Sequence, residues 1–244
     1  MTDPSTAPFR LRRAETILRR RTSRLVLILE RPWNDDNVQA VLRTAESFGV
    51  QHVWTIKHPH MRQRAQRTIT KGSHRWVTRR FFAETTECIE AAREEGLALW
   101  VTDLDEGATE ITSPADLTPF PERVGLVIGR EMSGVSSEFR EAAERRIYLP
   151  MHGFTESFNL SVATALVLQR CFDADPSLIG AMGEAERSAL RRDWFLRLSG
   201  PNEAKREAYA RWAEAPPDPL PTTRPAEGTR TPRIKKTMWG YFDD

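Results

Sequence analysis

The chain has 244 residues, 39% hydrophobic and 29% charged, with a formal net charge of only +2 from 36 basic and 34 acidic residues. That length supports one sizeable α/β domain with extensions, and no apolar run approaches the ~20 residues that a membrane helix needs. Cys88 and Cys171 give neither a disulfide framework nor metal-ligand spacing, and the N-terminus lacks the apolar core of a signal peptide, so a reduced, cytoplasmic setting without a metal is expected.

Phe9 to Arg21 sets Leu11, Ile17 and Leu18 among arginines, which predicts a short basic amphipathic helix. Arg24 to Glu30, RLVLILE, is a continuous apolar run of strand length, the pattern of a buried parallel strand. After the loop RPWNDDN, a helix is expected from Asn37 to Phe48, with Val38, Val41, Leu42, Ala45 and Phe48 on one face and Gly49 as the stop. Asn37 suits its N-cap. HVWTI, from His52 to Ile56, is the next strand, and the β-α-β order predicts a parallel sheet. Lys57 to Ser73 reads as an exposed loop, and Trp76 to Phe82 as a strand. Thr85 to Glu95 is a helix capped by Thr85 or Thr86, followed by the strand LALWVT from Leu97 to Thr102. Asp103 to Pro121 is rich in turn-formers and reads as irregular.

Val124 to Ile128, VGLVI, is a further buried strand, and Ser136 or Ser137 caps a helix to about Glu144. Ile147 to Met151 reads as a strand and its exit. Asn159 to Leu168 is too apolar for a surface helix and reads as a buried one, capped by Ser157 or Asn159. Its polar start, Gly-Phe-Thr-Glu-Ser, suits a small polar ligand at a helix N-terminus. Glu184 to Leu198 and Glu203 to Ala213 look helical, with Trp194, Phe195 and Trp212 as anchors. Residues 216–244 are rich in Pro, Thr and charge, and are expected to be disordered.

Basic residues are clustered despite the even balance. Arg10, Arg12, Arg13, Arg19, Arg20, Arg21 and Arg24 crowd the N-terminus, and Lys71, Arg75, Arg79 and Arg80 belong to a second stretch. Guanidinium forks fit phosphate oxygens, so both stretches point to an RNA partner, with Arg10, Arg12, Arg13, Arg19, Arg20, Lys71 and Arg75 as the contacts. A dinucleotide-binding fold would need a Gly-rich turn after its first strand; none is present, and no phosphate loop is found. The glycines lie late instead, at Gly129, Gly134 and Gly153, which points to a ligand held by C-terminal loops.

Three stretches carry a resemblance. Asn37 stands six residues before Arg43, with Phe48-Gly49 beyond; Gly129-Arg130-Glu131 is followed by Gly134; and Pro150-Met151 leads through Gly153 to Ser157 and Asn159. In order and spacing they resemble the motifs of the SpoU/TrmH family of RNA ribose 2′-O-methyltransferases, in the SPOUT superfamily. The likeness covers about Phe9 to Asp173, including Gly72 to Trp76, and is nearest to the branch acting on guanosine-18 of the tRNA D-loop.

The resemblance implies an α/β-knot domain over residues 23–173, with a mostly parallel sheet and a C-terminal trefoil knot. It is flanked by a basic N-terminal helix at 1–22 and a helical extension at 174–215. The implied cofactor is S-adenosyl-L-methionine, contacted by Thr102, Gly129, Leu149 and Phe158, and the implied assembly is a homodimer. The implied catalytic set is Arg43, Asn37, Glu131, Ser157 and Asn159. Free arginine is a very poor base, with a pKa above ~12, so Arg43 is expected to position and activate the ribose hydroxyl. Read from helix geometry alone, Arg43 is a solvated arginine off the apolar face. The chain departs from the family at Phe158, where Leu is usual, and at Asp36, where the nearest branch has His. Alternative readings are a ribosomal RNA ribose methyltransferase and a non-catalytic RNA-binding protein on the same fold.

Overall fold

The structure, a computed structural model, describes residues 7–58, 72–130 and 133–222. In chain order these form α1 (Phe9–Leu18), β1 (Thr22–Glu30), α2 (Asp35–Phe48), β2 (Val50–Ile56), β3 (Thr78–Phe82), α3 (Thr85–Glu94) and β4 (Ala98–Thr102). Then come β5 (Thr109–Glu110), β6 (Val124–Ile128), α4 (Ser137–Ala142), β7 (Arg145–Tyr148), α5 (Leu160–Ala174), α6 (Glu184–Ser199) and α7 (Glu203–Glu214). The strands make one sheet in the order β3-β2-β1-β6-β4-β7-β5, every pairing parallel.

Strand β1 shows why the centre reads as an unbroken apolar run. Leu25, Leu27 and Leu29 enter one core cluster, while Val26 and Ile28 enter another, because successive side chains point to opposite faces of a sheet. Helices α2 and α5 cover the first face through Val38, Val41, Leu42, Val167 and Leu168. Helices α3 and α4 cover the second through Cys88, Ile89, Ala92 and Phe139. Burial pushes the thiols of Cys88 and Cys171 up to about 12, so neither is a thiolate near neutral pH.

Several local expectations are corrected. Asn34, not Asn37, caps α2: its side chain accepts from the Asp36 amide at 2.8 Å. The helix therefore starts earlier, and Asn37 sits inside its first turn. Glu84, rather than Thr85 or Thr86, caps α3 in a box with Glu87. Within 103–121 lie β5 and a 3-10 turn at Pro114–Leu117 capped by Ser113, elements too short to show a period. At α5 the expectation holds: Asn159, one of its two expected caps, accepts from the Ser161 amide at 3.0 Å.

Helices α1, α6 and α7 share a core of their own, built on Leu11, Leu18, Trp194, Phe195 and Trp212. Its polar clasp is the fully buried Glu15, which accepts from Arg191 Nε at 2.7 Å and from Arg19 Nε at 2.9 Å. Arg21 is buried too; its guanidinium reaches Val50 O and Glu46 and lies 5.1 Å from the Trp194 ring. Burial lowers its pKa to about 10, against the pull of Glu46. Residues 216–222 also pack here: Arg12 donates to Asp218 O, and the Leu220 amide donates to Thr16. Residues 223–244, with Trp239, Tyr241 and Phe242, lie outside the described residues.

Candidate active site

A cavity of ≈ 340 Å³ opens beyond the carboxyl ends of β4, β6 and β7, against the start of α5. This is the end of a parallel sheet where ligands bind, and the volume falls in the ~300–1,000 Å³ range of small-molecule sites. Thr102, Gly129, Leu149 and Phe158 all line it. Thr102 stitches its floor: the hydroxyl donates to Val127 O at 3.2 Å and accepts from the Gly129 amide at 3.4 Å.

The loop after Gly129 is unusually tight. Arg130 and Gly134 exchange backbone hydrogen bonds at 3.0 and 3.2 Å, and Gly134 takes φ +63°, which L side chains rarely adopt. A Cβ on Gly129 would stand 2.6 Å from the Gly134 carbonyl carbon and 2.7 Å from the Val135 nitrogen. Only glycine fits where these backbones pass.

Charge at the rim is organised around Asp103, which is 6% exposed and meets Arg140 at 3.2 Å and Arg146 at 3.6 Å. Arg140 also pairs with Asp105 at 2.6 Å, and Asp103, Asp105 and Arg140 all line the cavity. Asp103 and Asp105 were not legible beforehand, because an irregular segment gives no period, and the position of Arg140 on α4 does not reveal its partners.

Glu30 was missed for a different reason: it is the last residue of an apolar strand, where a carboxylate gives no sign of its partners. Its side chain is fully buried. One oxygen accepts from the Ser136 amide at 2.9 Å, and the other from Thr85 at 3.4 Å and Arg130 at 3.5 Å. It thus ties β1 to the loop that walls the cavity. Glu30→Ala should cost about 1–3 kcal/mol by leaving those donors unmet, and should speed hydrogen exchange at the Ser136 amide. Unchanged protection of Ser136 in the folded variant would discard this role.

The candidate catalytic residues divide. Asn159 donates through Nδ2 to Asn37 Oδ1 at 3.1 Å, so the first turn of α2 and the cap of α5 meet although 122 residues apart. Ser157 lines the cavity. Arg43 is exposed on α2 and is not among the cavity-lining residues. At 1.5 Å per residue it stands roughly 9 Å along the helix from Asn37. Glu131 lies outside the described residues.

The predicted RNA contacts divide as well. Arg13 and Arg20 are exposed. Arg10 donates to Leu198 O, Arg12 to Asp218 O and Arg19 to Glu15, so these three also hold α1 in place. Arg75 is exposed on the 3-10 turn Ser73–Arg75, and its carbonyl accepts from Arg197. Lys71 lies outside the described residues. Among the described residues no helix is long and apolar enough to cross a membrane, and no His, Cys, Asp and Glu cluster is set to hold a metal ion.

A parallel sheet whose strand ends hold a glycine-walled cavity defines an α/β domain with its candidate site at the carboxyl edge of the sheet. The sequence matches the SpoU rRNA Methylase family over residues 24–169, and the chain belongs to that family. It is 26% identical over 204 residues to a tRNA (guanosine(18)-2'-O)-methyltransferase of Aquifex aeolicus, covering 84% of this chain and 88% of that protein. A protein of the same name from Thermus thermophilus is 31% identical over 159 residues, covering 65% of this chain and 79% of its own length. The crystal structure of the A. aeolicus TrmH/SpoU tRNA modifying enzyme superposes with a TM-score of 0.68 at 25% identity, covering 78% of this chain and 96% of that one.

Proposed function

We propose that this chain transfers a methyl group from S-adenosyl-L-methionine to a ribose 2′-hydroxyl of tRNA, at guanosine-18 of the D-loop. The observation that carries the reading is the Asn37–Asn159 hydrogen bond beside the Gly129 cavity. It joins the first and third motifs next to Phe158 and Leu160, which line the cavity. The relatives named for guanosine-18 favour tRNA over ribosomal RNA.

Thr102, Gly129, Leu149 and Phe158 would hold the cofactor, and the Gly129 wall leaves backbone accessible in a way no side chain permits. When bound, it supplies an electrophilic methyl group. The chain's own residues do the rest. Arg43 is too weak a base to remove a proton unaided; it orients the 2′-oxygen and stabilises the negative charge that grows there. Asn37 and Asn159 fix α2 against α5, so the arginine helix and the cavity keep one geometry, and positioning of this kind supplies much of the rate. By the family resemblance Glu131 would support Arg43 electrostatically, and Ser157 completes the polar rim.

The proposal includes the family's trefoil knot, formed by the path from β6 to α5. Its support is the order of the sheet, in which β6 enters between β1 and β4, and β7 between β4 and β5. It includes a homodimer, supported by exposed apolar side chains at Val162 and Leu166, which share one face of α5, and at Phe158 just before that helix. A cytoplasmic setting follows from a tRNA substrate.

The test is to incubate the protein with labelled cofactor and total RNA, and to map the methylated nucleotide. Label at guanosine-18 of tRNA is expected. Label in ribosomal RNA would move the substrate, and RNA binding without label would leave a non-catalytic protein.

A further inference from the structure

Two exposed aromatic side chains stand among cations outside the cofactor cavity. Trp33, in the loop between β1 and α2, is 66% exposed, and Phe81, on the edge strand β3, is 42% exposed. Phe81 belongs to the α2-covered side, and the Trp33 loop leads into α2 itself. Arg79 pairs in register with Val53, a member of the α2-side core, so Arg79 and Phe81, two residues apart, face that way.

Phe81 lies between charges. The Arg79 guanidinium carbon is 4.6 Å from its ring centroid and Lys57 Nζ is 5.3 Å away. Trp33 meets His58 with centroids 4.6 Å apart at 75°. Lys57 and His58 are consecutive, and one touches Phe81 while the other touches Trp33, which brings both aromatics into one neighbourhood. Arg79 Nε is buried and finds no acceptor among the described residues.

The Trp33 loop is also held in an uncommon shape. Arg31 has φ 43°, a region that non-glycine residues seldom occupy. It is fixed there by its amide bond to Ile56 O at 3.1 Å and its ion pair with Glu84 at 2.6 Å. Asn37 follows Trp33 by four residues, so the indole is presented close to the candidate catalytic helix.

We propose that Trp33 and Phe81 form a stacking platform for unpaired bases of the RNA, with Lys57 and Arg79 meeting its phosphates. The proposal rests on the reading that the chain acts on RNA. Aromatic faces interleaved with cations match a single strand, which offers a base face and a phosphate at each step. A duplex keeps its bases stacked and has no face to give.

The test uses the full chain and two labelled probes, a hairpin RNA with an unpaired loop and a duplex with the same number of phosphates. Fluorescence anisotropy should show that wild type prefers the hairpin. Trp33→Ala and Phe81→Ala should each weaken hairpin binding by roughly 5- to 100-fold, the scale of one lost stack. Duplex affinity and the hairpin salt slope should hold, since no phosphate contact is removed. Trp33→Phe should restore most of the loss. Lys57→Gln should instead flatten the salt slope by about one phosphate. In the methylation assay the aromatic losses should fall on KM for RNA rather than on kcat. Calorimetric binding of the cofactor serves as the folding control.

Equal hairpin affinity in wild type and the Trp33→Ala/Phe81→Ala double variant would overturn the platform while methylation still stands. No hairpin preference in wild type would also overturn it, leaving the patch to a protein partner. A wild-type protein that neither binds nor methylates RNA would remove the proposed function and the platform together.

Discussion

Arg43→Ala should lower single-turnover methylation by at least ~100-fold at saturating RNA and cofactor, the usual scale for a positioned acid–base or oxyanion group. Stability should barely change. Arg43 is exposed, off the face of α2 that buries Val38, Val41, Leu42 and Ala45, and surface substitutions stay within about 0.5 kcal/mol. Arg43→Lys should rescue little, because a point charge cannot reproduce the planar fork. Circular dichroism is the folding control and calorimetry the cofactor control, since Arg43 does not line the cavity. A folded Arg43→Ala protein methylating within a few-fold of wild type would remove the catalytic assignment. The bland reading of a solvated arginine would then stand.

Gly129→Val should abolish cofactor binding, and Gly129→Ala should do nearly as much damage. The obstacle is the first carbon of any side chain: at 2.6–2.7 Å it meets backbone atoms of Gly134 and Val135. Backbone held by a two-bond bridge cannot move aside as a flexible side chain can. The loop from Arg130 to Gly134 must shift, and with it one wall of the cavity. Isothermal calorimetry should show one site per chain in wild type and a loss of ~100-fold or more in either variant, while overpacking costs about 1–3 kcal/mol of stability. Circular dichroism must show a folded protein for the result to count. Unchanged binding in folded Gly129→Ala would place the cofactor elsewhere.

Both predictions draw on the sequence and the structure in different proportions. The apolar runs at Leu25–Leu29 and Val124–Ile128 announced central parallel strands, because burial on both faces forces continuous apolarity. The order of strands and helices announced the sheet type. Of the late glycines, Gly129 and Gly134 line the cavity, together with Thr102, Leu149 and Phe158. Trp194, Phe195 and Trp212 were legible as anchors, since large aromatics in a charged helix have few other uses, and all three are buried.

What the sequence by itself determined is therefore local: which segments form strands and helices, and which residue types gather in each loop. Only the tertiary structure decided what each element meets. Arginines at the N-terminus read as one phosphate-binding run, yet Arg21 is sealed beneath Trp194, and Glu15 closes on Arg191 across 176 positions of sequence. Glu30 read as a strand end and became a buried clasp. Asn37 read as a cap and instead reaches Asn159. The physical reason is common to all of them. A period reports whether a side chain is buried, because burial repeats with the helix or strand. It carries no information about partners, and the fate of a charge or an amide depends on which counter-charge or polar group the fold brings from a distant part of the chain.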